Sequence, residues 1–462
     1  MAALQYVKLI LYTVFVLYCF YRERDDLVLV FLALSLACGA LHARIFSVIS
    51  GSHVIGIIFF PIFLKKFGEL FRSRAWQLRL LMLLGLVIGG LIYGFILPWP
   101  DTSGARPWTQ AAPGRAFINT TRHLVEVSLF AYLVDRVRQN PRTASKMLRF
   151  MVYGTTVAAA AVLVETVFAV DLFGLLSPEI RSTNFVEINR ARGLNGEPRS
   201  SAAVIAIGLL ILFISRSLRP LRPLLIPLHA VALILCVSTL GFLIVTIGTG
   251  AFLLQRGRFR LAGGLTAALA TAIFFFNTLN PQLFDQWQQH NADRIGSDSG
   301  AQHLTIDRSF QSQREEIANF LEVFDGAGFL FLTDRVEYLA FGVGPGLMGL
   351  AATPNHIPPN MVHRWDRLDS LPHMGFLRML SNGGLFRLGL WIAIIALITV
   401  HLRRLETKLS NPGRLIDFRI ILLTFAILFL MQSKMAYKVV FALGMGLTYF
   451  RVSSANKSEK SG

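Results

Sequence analysis

The sequence predicts an all-α, polytopic integral membrane protein of about 12–13 transmembrane helices, with one large extracytoplasmic loop carrying short helices. Three observations predict it. Of 462 residues, 54% are hydrophobic and only 16% are charged, against about a quarter charged in soluble domains. Apolar runs approaching the roughly 20 residues that cross a bilayer recur along the chain. The excess of 45 basic over 27 acidic residues, a net charge of +18, sits in short loops between those runs, as the positive-inside rule describes. So little charge cannot cover a water-facing surface, which excludes a cytosolic enzyme, a disordered scaffold and a disulfide-stapled secreted module. In a soluble chain the basic excess would suggest nucleic acid; in these loops it predicts no nucleic-acid partner.

The apolar runs lie near 4–21, 27–43, 45–64, 78–97, 122–138, 147–170, 200–215, 222–237, 241–255, 259–278, 374–400, 417–431 and 435–450. These give N-terminal helices in 1–120, central helices in 121–278 with an arginine-containing outward loop at 171–199, a large periplasmic loop at 279–373, C-terminal helices in 374–450 and a cytoplasmic tail at 451–462. The first run lacks a small-residue cleavage site and is followed by Arg22, Glu23 and Arg24, so no cleavable signal is expected. Cys19, Cys38 and Cys236 all fall inside apolar runs, with no disulfide or metal spacing.

Orientation follows from the loop cations. Lys65, Lys66, Arg72 and Arg74, then Arg136–Lys146, Arg216–Arg222, Arg256–Arg260, Arg403–Arg414, Lys457 and Lys460 are expected in the cytoplasm. The loops at 98–121, 171–199 and 279–373 then face the other side. Thirteen passages put the N-terminus outside and twelve put it inside. In the outward loops, Pro98, Trp99, Pro100 and Trp108 suggest an interfacial anchor, and Ile317, Phe320, Leu321 and Phe324 mark an amphipathic helix over 310–324.

No Walker loop, zinc-spaced cluster or nucleophilic triad is visible, so no metal or cofactor is expected. Chemistry must then come from polar groups at the outer boundary. The first group is Asn189-Arg190-Ala191-Arg192-Gly193-Leu194-Asn195-Gly196-Glu197-Pro198-Arg199-Ser200, which closes an outward loop and opens a helix at Pro198. Its arginines beside a helix N-terminus suit an anion, although contact with lipid headgroups is the plainer use. Glu197 needs a partner or a task there. Arg314 shares an edge with the apolar face of the amphipathic helix and can snorkel toward a lipid phosphate; read alone it is a surface charge among Glu315, Glu316 and Glu322. His373 stands where the large loop re-enters the membrane, able to take a proton near neutral pH, or simply to cap a helix. The Gly383-Gly384 pair suits close helix packing better than binding.

Taken together these stretches resemble the O-antigen polymerase and ligase superfamily of lipid-linked oligosaccharide transferases. Arg190, Gly193, Glu197 and Pro198 match its arginine–glycine loop; Arg314 matches its loop helix; Gly342-Val343-Gly344-Pro345-Gly346 matches its Gly-x-Gly stretch. His373 with Leu377, Leu380, Gly384 and Leu385 matches its histidine-led helix, and the resemblance spans roughly 120–450. Where the family often has Ser-Arg-Gly at an outward turn, this chain has Ser238-Thr239-Leu240-Gly241, leaving Arg192 or Arg199 to replace one phosphate-binding arginine. Met374 also follows the histidine where asparagine or serine is common.

The resemblance implies an inverting, metal-independent glycosyltransferase of the bacterial inner membrane, with its active site facing the periplasm. It would polymerise undecaprenyl-diphosphate-linked repeat units into O-antigen or exopolysaccharide. Arg190, Arg192 and Arg314 would bind the diphosphate, Glu197 and Arg199 would support them, and His373 would act as acceptor-side base. Membrane lipids, and a chain-length regulator and flippase of the same pathway, are the implied partners. An O-antigen ligase acting on lipid A-core, a glycolipid flippase or transporter, and a structural partner in an export complex are the alternatives. Glu126, Asp135 and Glu165 are the acidic residues well inside apolar runs, without inverted-repeat partners. The loop charges make a direct prediction: in intact cells an impermeant thiol reagent labels Ser299→Cys and leaves Ser410→Cys silent. The reverse pattern would overturn the orientation.

Overall fold

The computed structural model describes residues 2–45, 47–96, 112–176, 191–236, 238–261, 264, 332–333, 336–345, 347, 374–409 and 412–450. Within them the chain is helical apart from one small hairpin. Helices α1 (Ala2–Tyr21) and α2 (Asp25–Ala37) precede strands β1 (Ala43–Ile45) and β2 (Ser47–Ile49), which pair antiparallel with Arg44 opposite Val48. There follow α3 (Gly51–Leu70), α4 (Arg74–Ile96), α5 (Ala112–Gln139), α6 (Arg142–Phe168) and the short α7 (Leu172–Leu176). Next come α8 (Pro198–Ile214), α9 (Arg222–Leu235) and α10 (Thr239–Gln255). The last are α11 (Val336–Phe341), α12 (Gly375–Glu406), α13 (Gly413–Met431) and α14 (Met435–Leu447). The all-α expectation thus holds in outline, with the hairpin as the departure. The expected run 27–43 stops at Ala37, where Cys38 turns extended (φ −122°) and a 3₁₀ turn over Gly39–Leu41 leads to the hairpin. The amphipathic stretch 310–324, nearly all of 259–278, most of 279–373 and the tail 451–462 lie outside the described residues.

Among the described residues four helices, Arg74–Ile96, Arg142–Phe168, Arg216–Leu235 and Gly375–Glu406, are long and apolar enough to cross a membrane. The way α4 distributes its side chains says what surrounds it. Leu81, Leu84, Ile88, Leu91, Ile92, Phe95 and Ile96 are exposed on one face, whereas Arg79, Met82, Leu86, Gly90 and Gly94 are buried on the other. A soluble amphipathic helix does the opposite. At the centre runs α8, buried on all sides from Ser201 to Leu212 and contacted by α6, α9, α10 and α13.

Ion pairs gather the basic loops at one end of the bundle. Lys66 binds Asp135 at 2.6 Å, Arg138 reaches Asp135 and Glu69 at 3.1 and 2.6 Å, and Arg136 and Lys146 meet Asp25 and Asp26 at 2.9 Å. Asp417 accepts from the Arg216 backbone N–H at 2.7 Å and from Arg256 at 3.1 Å. Arg419 pairs with Glu406 at 2.7 Å. Residues 38–50, 191–199 and 374–378 sit at the helix ends opposite these.

Helix α12 is broken within its span. Gly383 and Gly384 leave helical geometry, and Gly384 has φ +61°. Residues 341–345 thread against the break: the Val343 N–H donates to the Ser381 carbonyl at 2.8 Å, and a Cβ on Gly384 would lie 2.2 Å from the Ala340 carbonyl. The Gly-x-Gly stretch therefore packs backbone against backbone, between α12 and Gly89–Gly90 of α4. Gly384→Ala should cost about 1–3 kcal/mol through a left-handed backbone and steric overlap. Gly389→Ala on the same helix meets nothing within 4 Å and should be neutral or slightly stabilising. Thermal midpoints of the two purified variants check this, and equal midpoints would contradict the packing.

Candidate functional site

The segment 191–197 that leads into α8 is fastened on three sides. Glu165 of α6 accepts the backbone N–H groups of Arg192, at 3.2 Å, and Gly193. Gly193 adopts φ +56° against Val162, where a Cβ would come within 2.9 Å. Asn195 clasps the end of α2: its Oδ1 accepts the Gly39 N–H at 2.9 Å and its Nδ2 donates to the Ala37 carbonyl at 3.1 Å. The Ser201 hydroxyl returns from α8 to the Arg192 carbonyl. Glu197 occupies the N-cap position of α8 and Pro198 follows it, so the helix starts where the sequence indicated. Two of the acidic residues inside apolar runs thus acquire local roles: Glu165 holds the segment 192–193, and Asp135 neutralises the basic end.

Of the expected site residues, Arg190, Arg314 and His373 lie outside the described residues. Arg192 is described, and its guanidinium pairs with Asp171 and lies over the Phe173 ring at 5.4 Å. An arginine so engaged would have to exchange Asp171 for a phosphate oxygen. Glu197 is exposed and Arg199 partly buried in the first turn of α8. Both lie within electrostatic range of Lys434, the N-cap residue of α14, as does Arg378 of α12. Met374, the residue after His373, is the N-cap of α12. The arginine loop and the helix that His373 leads into, far apart in sequence, are therefore neighbours through Lys434.

Deeper in the bundle lies a charge cluster whose pairing the sequence did not reveal. One oxygen of Glu126 (α5) accepts from Arg79 of α4 at 2.9 Å, and the other from Lys438 of α14 at 2.8 Å. His123 Nδ1 lies 3.8 Å from the same carboxylate. Arg387, on α12 beyond the break, joins them around a cavity of about 40 Å³. A signal for this cluster does exist in the sequence: cations inside three apolar runs, Arg79 in 78–97, Arg378 and Arg387 in 374–400 and Lys438 in 435–450.

No family model matches the chain, and no curated protein matches it either.

Removing one member of a buried ion cluster leaves the others uncompensated, typically at about 3–5 kcal/mol. Glu126→Gln should therefore lower the thermal midpoint strongly, and adding Lys438→Met should recover part of the loss. A single variant as stable as the parent would show that Glu126 does not hold these helices together.

Proposed function

We propose that the protein is a multi-pass glycosyltransferase of the bacterial inner membrane that extends a glycan carried on a lipid diphosphate. The reaction face is the end opposite the basic loops, on the periplasmic side. One observation carries this reading: Arg199 of α8 and Arg378 of α12, with Glu197, lie within electrostatic range of Lys434, the N-cap residue of α14, beside the fastened arginine loop. Three cations at a helix-end boundary suit a diphosphate leaving group, because charge grows on its oxygens as the glycosidic bond breaks. Arg190 and Arg314 belong to the same reading, with Arg192 available if Asp171 releases it.

The chemistry is a single displacement. The acceptor hydroxyl oxygen attacks the anomeric carbon, the bond from that carbon to the diphosphate oxygen breaks, and the lipid diphosphate leaves with the electron pair. The hydroxyl proton passes to His373, one residue before the N-cap of α12. Attack opposite to departure inverts the anomeric centre. In a polymerase the acceptor is the repeat unit of a second lipid-linked glycan; in a ligase it is lipid A-core. The Glu197-Pro198 form of the loop favours the polymerase. A transporter of the same glycolipid is the second reading, favoured by the break at Gly383–Gly384 and the charges buried near it, since transporters place such features at mid-membrane.

Both readings are separated by variants in cells that make the polymer. His373→Gln can hydrogen-bond but cannot take the proton, and should lower chain growth by about 100-fold or more, with donor glycolipid accumulating. Arg378→Ala should lose on the order of 100-fold, and Arg378→Lys should recover little if the contact is a bidentate fork. Full-length polymer at normal yield in His373→Gln and Arg378→Ala, at equal protein level, would refute the assignment.

A further inference from the structure

The cavity beside Glu126 has a chemical character of its own. Arg387 is 8% exposed, yet its Nε and Nη1 have no hydrogen-bond partner among the described residues. Trp391, one turn further along α12, lines the same cavity with a buried, unpartnered Nε1, and Arg79 adds an unpartnered Nε. Every one of these groups is a donor, and neither guanidinium nor indole N–H can accept. The carboxylate nearby already accepts from Arg79 Nη2 and Lys438 Nζ. Whatever satisfies the remaining donors must therefore be an acceptor.

Charge points the same way. Among the described residues three cations, Arg79, Arg387 and Lys438, stand around one carboxylate, Glu126, an excess of two positive charges within a bundle whose outer face is apolar. A buried cation without a counter-charge is among the costliest features a fold can carry. The rest of the wall is apolar, with Met82, Phe130, Ile394 and Phe441 in it. Such a wall offers few partners to the several oxygens of a phosphate or sulfate. It suits an anion that is small, singly charged and weakly hydrated.

We propose that the cavity between α4, α5, α12 and α14 is a binding site for one small monovalent anion of the halide or nitrate class. The anion accepts from Arg387 Nε and Trp391 Nε1. It completes the Arg79–Glu126–Lys438 cluster and thereby fixes the second half of α12 against α4 and α14. The site lies beyond the α12 break from Arg378 and is separate from the proposed diphosphate site. Its occupancy would make the folded state of this protein depend on the anion present.

The test uses the full-length protein in phosphatidylcholine nanodiscs, in sodium gluconate at constant ionic strength. Replacing gluconate by bromide or nitrate should raise the thermal midpoint saturably by about 3 °C or more, because a ligand that binds only the folded state stabilises it by mass action. Sulfate should do less than either, and Arg387→Met should abolish the rise. Crystals of the parent protein grown in bromide should give an anomalous peak beside Arg387 Nε and Trp391 Nε1, a result that needs no variant. Equal midpoints in gluconate and bromide, a rise that persists in Arg387→Met, no bromide peak there, or lipid phosphate density in its place would each overturn the proposal.

Discussion

The Glu126 carboxylate, shared between Arg79 and Lys438, is the interaction on which the rest of this architecture depends. It ties α4, α5 and α14 together beside a cavity whose wall, Arg387 and Lys438 apart, is mostly apolar. Helix α4 shows why such a tie is required. Its outward face is Leu, Ile and Phe, so apolar burial gives little reason for that face to meet a neighbour in hydrocarbon. Its inward face carries Arg79, and an arginine there must find a carboxylate or an anion. Pairing thus selects which helices meet, while small residues such as Gly90 set how closely.

Charge is handled in two ways along the bundle. At the basic end each of Asp135, Asp417 and Glu406 meets cations from a second helix, so the loops are fastened by pairs that water can also reach. At the other end, among the described residues, Glu197, Arg199 and Arg378 gather around Lys434. Between them, the break in α12 lets residues 341–345 enter the bundle and fixes where α12 resumes before Arg387. The fastened segment 191–197 and the broken helix border one region.

Much of this arrangement was legible in the sequence, for a physical reason. Apolar length marks a helix directly, and α4, α6, α8, α9 and α13 begin and end within a few residues of the expected runs. The Glu197-Pro198 start of α8 was equally plain, because proline without its N–H suits a first turn. Pairing was not legible. Glu126 stands 47 positions from Arg79 and 312 from Lys438, and no local pattern connects them. The engagement of Arg192 by Asp171, and the clasp of Asn195 on α2, also depend on distant segments. The Gly-x-Gly stretch was recognised without its role, since a glycine that touches another backbone leaves no periodic trace.

The central claim is that this protein breaks a bond between a sugar and a lipid diphosphate. The direct measurement is reconstitution of the purified chain alone in liposomes with an undecaprenyl-diphosphate-linked repeat unit. Phosphorus NMR follows the lipid diphosphate while gel electrophoresis follows glycan length. The account predicts one free lipid diphosphate for each new glycosidic bond, without added metal. Movement of the intact glycolipid between leaflets, with no diphosphate released and no longer glycan formed, would contradict it.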